Sequence, residues 1–146
     1  FDIFIKVASL FPTYAFIWIG NQEKVYDTAA NVFCLGNVSN AGRYNQLVDL
    51  FMLPTNYEGL PMVIIEAMSY GKPIVASNVG GISEIVVNGE NGYTVENVAS
   101  AFAEKIQYIL ENESIYKKLS ENSYRRFREY LTVEKMLQGY MEIYQS

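Results

Sequence analysis

Short runs of consecutive apolar residues organise the first half of the chain. They cover residues 15–19, 32–35, 50–53 and 73–76, and the first three stop at Gly20, Gly36 and Pro54. Runs that are apolar at every position, without alternation, predict strands buried on both faces, the pattern of a parallel sheet. Between them lie helical patterns. Phe1, Ile3, Phe4, Ile5, Val7, Ala8 and Leu10 predict a helix that ends before Pro12, because the residue ahead of a proline disfavours helical backbone. Residues 43–49 predict a short helix. Residues 61–70 predict another, opened by Pro61 in its first turn and closed by Gly71, the usual asymmetry of helix ends. Gly80-Gly81 starts a turn or short helix running through Val87, Asn88-Gly89 and Asn91-Gly92 read as turns, and residues 93–95 read as a last short strand. From residue 98 the period changes to that of helices over 98–110, 114–130 and 132–145. The last of these carries Val133, Met136, Leu137, Tyr140, Met141 and Tyr144 on one stripe, assigned to core or domain-interface packing. Strands alternating with helices predict an α/β, Rossmann-like fold, a doubly wound parallel sheet with right-handed crossovers. With no internal repeat and no low-complexity linker, residues 1–146 read as a single domain.

Composition narrows the chemistry. Eleven Lys and Arg against 16 Asp and Glu give a net charge of −5, a poor footprint for neutralising a run of phosphates, so nucleic acid is not an expected partner. There is no histidine, which removes Ser-His-Asp, Cys-His and His-ligated zinc sites from this chain. Acid–base work falls to carboxylates, Lys or Tyr. The single cysteine, Cys34, lies in an apolar run and reads as a small core residue. It forms no internal disulfide, which favours a reducing, cytoplasmic setting. No run approaches the roughly 20 apolar residues of a spanning helix, and the first residues lack the order of a signal peptide. The chain opens on Phe1, already inside an amphipathic helix, and reads as a piece of a longer protein.

Open parallel sheets bind ligands outside the carboxyl ends of their strands, so the segments after Gly20, Gly36, Leu53 and Ala76 are the ones to search. The segment after Leu53 carries Glu58, Gly59 and Pro61 just ahead of a helix. Gly59 admits close approach of a ligand to the main chain, and the helix start offers free N–H groups to an anion. Proline has no N–H, so the donors there are Gly59, Leu60, Met62 and Val63. Glu66 stands eight residues after Glu58, among Met62, Val63, Ile64, Ile65, Ala67 and Met68. A carboxylate in such company is costly unless donors satisfy it, and the two hydroxyls of a ribose would do so. Equally, Glu66 shares a partly solvated stripe with Ser69 and Tyr70, and Glu58 serves as an ordinary acid near a helix start.

Glu58-Gly59-Leu60-Pro61 with Glu66-Ala67-Met68, then Gly71-Lys72-Pro73-Ile74-Val75-Ala76-Ser77 and Val79-Gly80-Gly81-Ile82-Ser83-Glu84, resemble the nucleotide-binding C-terminal domain of retaining two-domain GT-B glycosyltransferases, the group 1 family with paired glutamates. Phe33-Cys34-Leu35-Gly36 and Asp49-Leu50-Phe51-Met52-Leu53-Pro54-Thr55 are similar to that family's earlier strands, so the resemblance covers most of residues 1–130. It implies a UDP-, GDP- or ADP-linked sugar as substrate, with no separate cofactor and no metal. It further implies that Glu58 reaches the donor sugar as the catalytic carboxylate and that Glu66 holds the ribose. The amides of Gly59, Leu60, Met62 and Val63 would hold sugar hydroxyls and diphosphate, and Gly36, Asn37 and Val38 the base. Gly80, Gly81 and Glu84 match the loop after the next strand, which a tight turn with a helix-start acid explains as well.

The same resemblance implies transfer to a hydroxyl acceptor with retention, and an N-terminal acceptor-binding domain as partner. It also places an arginine and a lysine just upstream of Phe1. Neither is in this chain, whose first 100 residues hold only Lys6, Lys24, Arg43 and Lys72 as cations. The linker between Gly20 and Val32 is short, omitting a helix that many relatives carry. Two alternatives stand beside transfer: a nucleotide-sugar epimerase of related fold, and a non-catalytic nucleotide-sugar-binding or interaction module. Lys117, Lys118, Arg125, Arg126 and Arg128 share one helix and read as a solvated face, or as a peripheral contact with an anionic membrane surface.

Overall fold

All the strand pairs in the computed structural model, which describes residues 1–21 and 28–145, are parallel. The strands are β1 (Phe16–Trp18), β2 (Val32–Cys34), β3 (Phe51–Leu53), β4 (Ile74–Ser77) and β5 (Gly92–Val95). Helices fill the intervals: α1 (Asp2–Leu10), a 3-10 helix (Ala41–Leu47), α2 (Met62–Ser69), α3 (Ile82–Ile85), α4 (Ala99–Leu110), α5 (Glu113–Tyr130) and α6 (Val133–Gln145). The short linker expected between Gly20 and Val32 falls largely on residues 22–27, as does Lys24, outside the described residues.

The expected sheet forms in two hydrogen-bonded pieces rather than one. β1 pairs with β2, Phe16 opposite Val32, while β3, β4 and β5 make a separate three-stranded piece with Phe51, Ile74 and Gly92 in register. β4 is its centre and is buried at all four positions. Successive side chains of a strand point to opposite faces, and β4 divides its neighbours accordingly. Ile74 and Ala76 pack with Ile64, Met68 and Ile82 of α2 and α3, whereas Val75 packs with Val7, Phe102, Ile106 and Leu119 of α1, α4 and α5. This is the doubly wound α/β arrangement. A third cluster joins Phe4, Ala8 and Val32 to Phe16, Trp18 and the half-buried free thiol of Cys34.

Several local expectations are corrected. Pro61 occupies the N-cap of α2, with φ −75° and ψ 99°, rather than the first turn; the ring fixes only φ, and the extended ψ turns the chain into the helix. The short helix before β3 is 3-10 in type and begins two residues early, after Asn40 in a left-handed conformation at φ 56°. Asn91 lies in the turn ahead of β5, as expected, but its side chain points inward. It is buried, its Nδ2 donating to the Ile85 carbonyl at 3.0 Å and its Oδ1 accepting the Val87 N–H at 2.8 Å. Nor does α6 contribute to the core, since Val133, Met136, Leu137, Tyr140, Met141 and Tyr144 are all exposed.

Of the five α5 cations, Lys117, Lys118, Arg125 and Arg128 are exposed, as a solvated face requires, and Arg126 is the exception. Lys117 pairs with Glu113 at 2.6 Å, and Arg126 is largely covered and lies 3.5 Å from Glu90 and over the Tyr130 ring. α5 itself is fastened to the turn between α2 and β4 by Ser120 and Ser123, whose hydroxyls donate to the carbonyls of Gly71 at 2.6 Å and Lys72 at 2.7 Å. No described helix is long and apolar enough to cross a membrane.

Candidate functional site

The carboxyl ends of β3, β4 and β5 are tied together by a chain of polar side chains. Ser77, the fully buried last residue of β4, accepts the Thr55 N–H at 2.9 Å and donates to Asn97 Oδ1 at 2.8 Å. Asn97 in turn donates to Asn56 Oδ1 at 2.6 Å, and the Thr55 hydroxyl donates to the Tyr57 carbonyl at 3.1 Å. The loop that carries Glu58 is therefore held from two neighbouring strands. We expect Ser77→Ala to lower the unfolding free energy by about 1–3 kcal/mol, since it leaves the part-buried Thr55 amide without its acceptor, and thermal denaturation measures it.

A second clamp is backbone on backbone. The Gly81 N–H donates to the Gly59 carbonyl at 3.2 Å. Gly80 has φ +52°, and a Cβ there would run into the Glu58 carbonyl oxygen; one at Gly81 would meet the Gly59 carbonyl. Only glycine allows the two loops this approach. Between them stands the half-buried Glu58, whose carboxylate has no partner among the described residues. The amides that follow are also open. The Ile64 N–H is satisfied by the Pro61 carbonyl at 3.0 Å, whereas the N–H groups of Gly59, Leu60, Met62 and Val63 face no protein acceptor among the described residues. They sit at the positive end of the α2 dipole.

Glu66 is exposed, so the expected cost of holding its charge in an apolar helix does not arise. α2 buries Ile64, Ile65, Ala67 and Met68 and turns Met62, Val63, Glu66 and Tyr70 outward. Its carboxylate lies against Gly42 of the 3-10 helix, where a Cβ would stand 3.0 Å from Glu66 Oε2. Both line a cavity of about 1030 Å³, with Val63, Asn37 and Val38. The turn ahead of Asn37 is held by Gly36 at φ 72°, its N–H donating to Asn21 Oδ1 at 2.9 Å and its carbonyl accepting the Gly20 N–H at 2.8 Å. Further along the cavity, by the start of β3, burial first and the Asp49 carboxylate second raise the Tyr116 phenol above its ordinary value.

The structure thus sorts the expected site residues into two groups joined by α2. Asn37, Val38, Val63 and Glu66 surround the cavity; Glu58, Gly59, Gly80 and Gly81 meet at the adjacent loops, outside its walls. Glu84 joins neither. It stands in the first turn of the four-residue α3, its N–H bonded to the Gly81 carbonyl at 3.1 Å, the helix-start acid of the turn reading.

Comparison with known proteins decides the family. Residues 11–126 match the glycosyl transferases group 1 family. The chain belongs to that family. An uncharacterised glycosyltransferase of Methanocaldococcus jannaschii is 37% identical over 96 residues, covering 65% of this chain and 27% of the relative. The capsular polysaccharide biosynthesis glycosyltransferase CapM of Staphylococcus aureus is 35% identical over 97 residues, 66% of this chain and 26% of the relative. Among solved structures, HepE of Anabaena in complex with UDP superposes with a TM-score of 0.87 at 23% identity, over 99% of this chain and 44% of that one. The group 1 chain therefore spans about a quarter to under a half of the length of these relatives, and its fold is that of GT-B glycosyltransferases.

Within this group 1 chain, sequence reasoning missed the parts that hold the loops. Ser77, Asn97, Asn56 and Thr55 carried no role in it. Their one signal was a polar residue at the carboxyl end of an otherwise apolar strand run, as at Ser77. Asn97 and Asn56 are 41 positions apart, and no local pattern pairs them.

Proposed function

We propose that this chain is the donor half of a retaining hexosyltransferase. It binds a nucleotide diphosphate sugar across the carboxyl ends of its strands, and the intact enzyme transfers the sugar to a hydroxyl acceptor held by a partner domain. The observation that carries this reading is the convergence of three unsatisfied groups on one helix: the Glu58 carboxylate just ahead of α2, the amides at its start, and the Glu66 carboxylate one turn and more along it, beside a cavity. A nucleotide diphosphate sugar has matching parts in that order. Its sugar faces Glu58, its diphosphate accepts from the amides of Gly59, Leu60, Met62 and Val63, and its ribose hydroxyls donate to Glu66. The base reaches the turn of Gly36, Asn37 and Val38. The solved complex of HepE with UDP-glucose supports the ligand class.

The chemistry asked of the protein is positioning and stabilisation of charge. The α2 amides are fixed before the ligand arrives and so stabilise the leaving diphosphate without reorganising. The two loop clamps fix Glu58 against the reacting carbon, where orientation is worth most. The exposed apolar stripe of α6 supports a partner domain packed against it.

A chemical-shift titration of the intact protein with the diphosphates of uridine, guanosine and adenosine tests the donor assignment. We expect shifts at residues 36–38 and 58–66 for one of the three, and their loss in Glu66→Ala. No shifts with any of the three, or shifts unchanged in the variant, would overturn it.

A further inference from the structure

The stretch from Pro54 to Pro61 contains no helix or strand, and Glu58 stands inside it. A carboxylate without a protein partner takes its direction from the backbone that carries it, so whatever fixes that backbone aims the acid. After Glu58 the chain is pinned by main chain: Gly80 lies against the Glu58 carbonyl, and the Gly81 N–H holds the Gly59 carbonyl at 3.2 Å. Before Glu58 the ties are side chains. The Thr55 hydroxyl donates to the Tyr57 carbonyl at 3.1 Å and accepts the Tyr57 N–H at 3.4 Å, a local turn of the kind that Ser and Thr side chains make. The Tyr57 carbonyl belongs to the peptide that leads into Glu58. Between Thr55 and Tyr57 stands the exposed Asn56, whose side chain has one hydrogen bond among the described residues, from Asn97 Nδ2 at 2.6 Å.

Asn97 is itself held firmly. It follows β5, whose Val95 carbonyl accepts the Asn78 N–H at 2.7 Å, and it lies inside a tight turn closed by the Val98 N–H on the Glu96 carbonyl at 2.7 Å. Both ends of its half-buried side chain are used: Oδ1 accepts the Ser77 hydroxyl at 2.8 Å, and Nδ2 donates to Asn56.

The same bonds separate holding the fold from holding the loop. The Ser77 hydroxyl has a single proton and two acceptors in reach, Asn97 Oδ1 at 2.8 Å and the Leu53 carbonyl at 3.4 Å. With Asn97 truncated, that proton turns to Leu53, and Ser77 still accepts the Thr55 N–H. The buried hydroxyl stays satisfied while the tie to Asn56 is gone.

We propose that Asn97 is a positioning residue for the transfer reaction: it grips Asn56 and so fixes the direction in which the Glu58 carboxylate meets the sugar. The inference rests on the donor reading above, in which Glu58 faces the reacting carbon. Releasing the turn two residues ahead of the acid misdirects it, and orientation is where rate is lost. The groups assigned to the nucleotide are spared, because Met62, Val63 and Glu66 belong to α2.

Steady-state kinetics and nucleotide titration of the intact enzyme test it. We expect Asn97→Ala and Asn56→Ala each to lower kcat by about tenfold, between the roughly fivefold of one lost neutral hydrogen bond and the roughly hundredfold of a misplaced reacting group. The Kd for the nucleotide diphosphate and the midpoint of thermal unfolding should stay near those of the unaltered enzyme. The double variant should lose no more than either single one, since both break the same bond. In the Glu58→Ala background, Asn97→Ala should cost nothing further. Additive losses in the double variant, or a further loss on top of Glu58→Ala, would mean that Asn97 acts through another bond or another group, and each overturns the proposal. A Kd weakened as much as kcat would mark a merely structural role and overturn it too, as would an unchanged kcat in both single variants while Glu58→Ala is impaired. Full activity in Glu58→Ala itself would instead overturn the donor reading, and this inference with it.

Discussion

Glu58→Ala in the intact enzyme should lower kcat by about 10²–10³-fold, the scale of removing one preorganised electrostatic group from an active site, while the Kd for the nucleotide diphosphate changes only a few-fold. The split follows from where the group stands. Glu58 lies on the loop ahead of α2, and its carboxylate has no protein partner among the described residues to lose. The open amides begin at the next residue, and Glu66 lines the cavity from a separate turn of helix. On the proposed reading, truncating Glu58 leaves the amides and Glu66 assigned to the nucleotide in place and removes the carboxylate assigned to the sugar. Glu58→Gln keeps the shape and removes the charge, so a loss equal to that of alanine would assign the effect to charge. Steady-state kinetics and calorimetric titration of the nucleotide measure the two quantities, and equal losses in both would contradict the role.

The largest structural effect is expected at Gly80. Its φ of +52° already disfavours any other residue, and a Cβ there is driven into the Glu58 carbonyl, which is main chain and cannot swing aside. A left-handed backbone costs a non-glycine residue about 1–2 kcal/mol by itself, and the clash adds displacement of the 58–59 loop. Gly80→Ala should therefore destabilise the fold by about 3 kcal/mol or more, in the range that marks a specific mechanism, and should cost activity even where the protein remains folded. Gly59→Ala is the control. Nothing lies within 4 Å of a Cβ at Gly59, so its stability should change by about 0.5 kcal/mol or less. Chemical denaturation of the two variants compares them, and similar midpoints would refute the account.

The fold was legible because its strands are short apolar runs with abrupt stops. Runs such as residues 50–53 and 73–76 have no polar face and can only be satisfied inside a parallel sheet, which fixes the class before any coordinate is known. The helices after residue 98 show the opposite signal, a clear 3.6-residue period, and their ends agree with the structure within a residue. α2 marks where periodicity fails. Met62 and Val63 are apolar but exposed, so the helix reads as greasy all round; Glu66 then looks like a buried charge when it is a surface carboxylate at a cavity. Its neighbour there, Gly42, is 24 positions away in sequence, and the pairing exists only through packing of the 3-10 helix on α2.

The amino-acid sequence by itself thus determined the α/β class, the order of the elements and the segments at strand ends where a ligand can sit, because each depends on residues within one run or one turn of each other. The tertiary structure alone decided that Ser77 and Asn97 hold the loop of Glu58, that Gly80 and Gly81 press on its backbone, that α6 stays outside the core, and that the described strands pair in two pieces beside a cavity. Those outcomes depend on which distant surfaces meet. Hydrogen bonds and close contacts act over a few ångströms in space, whatever the separation along the chain, so a local pattern carries no record of them.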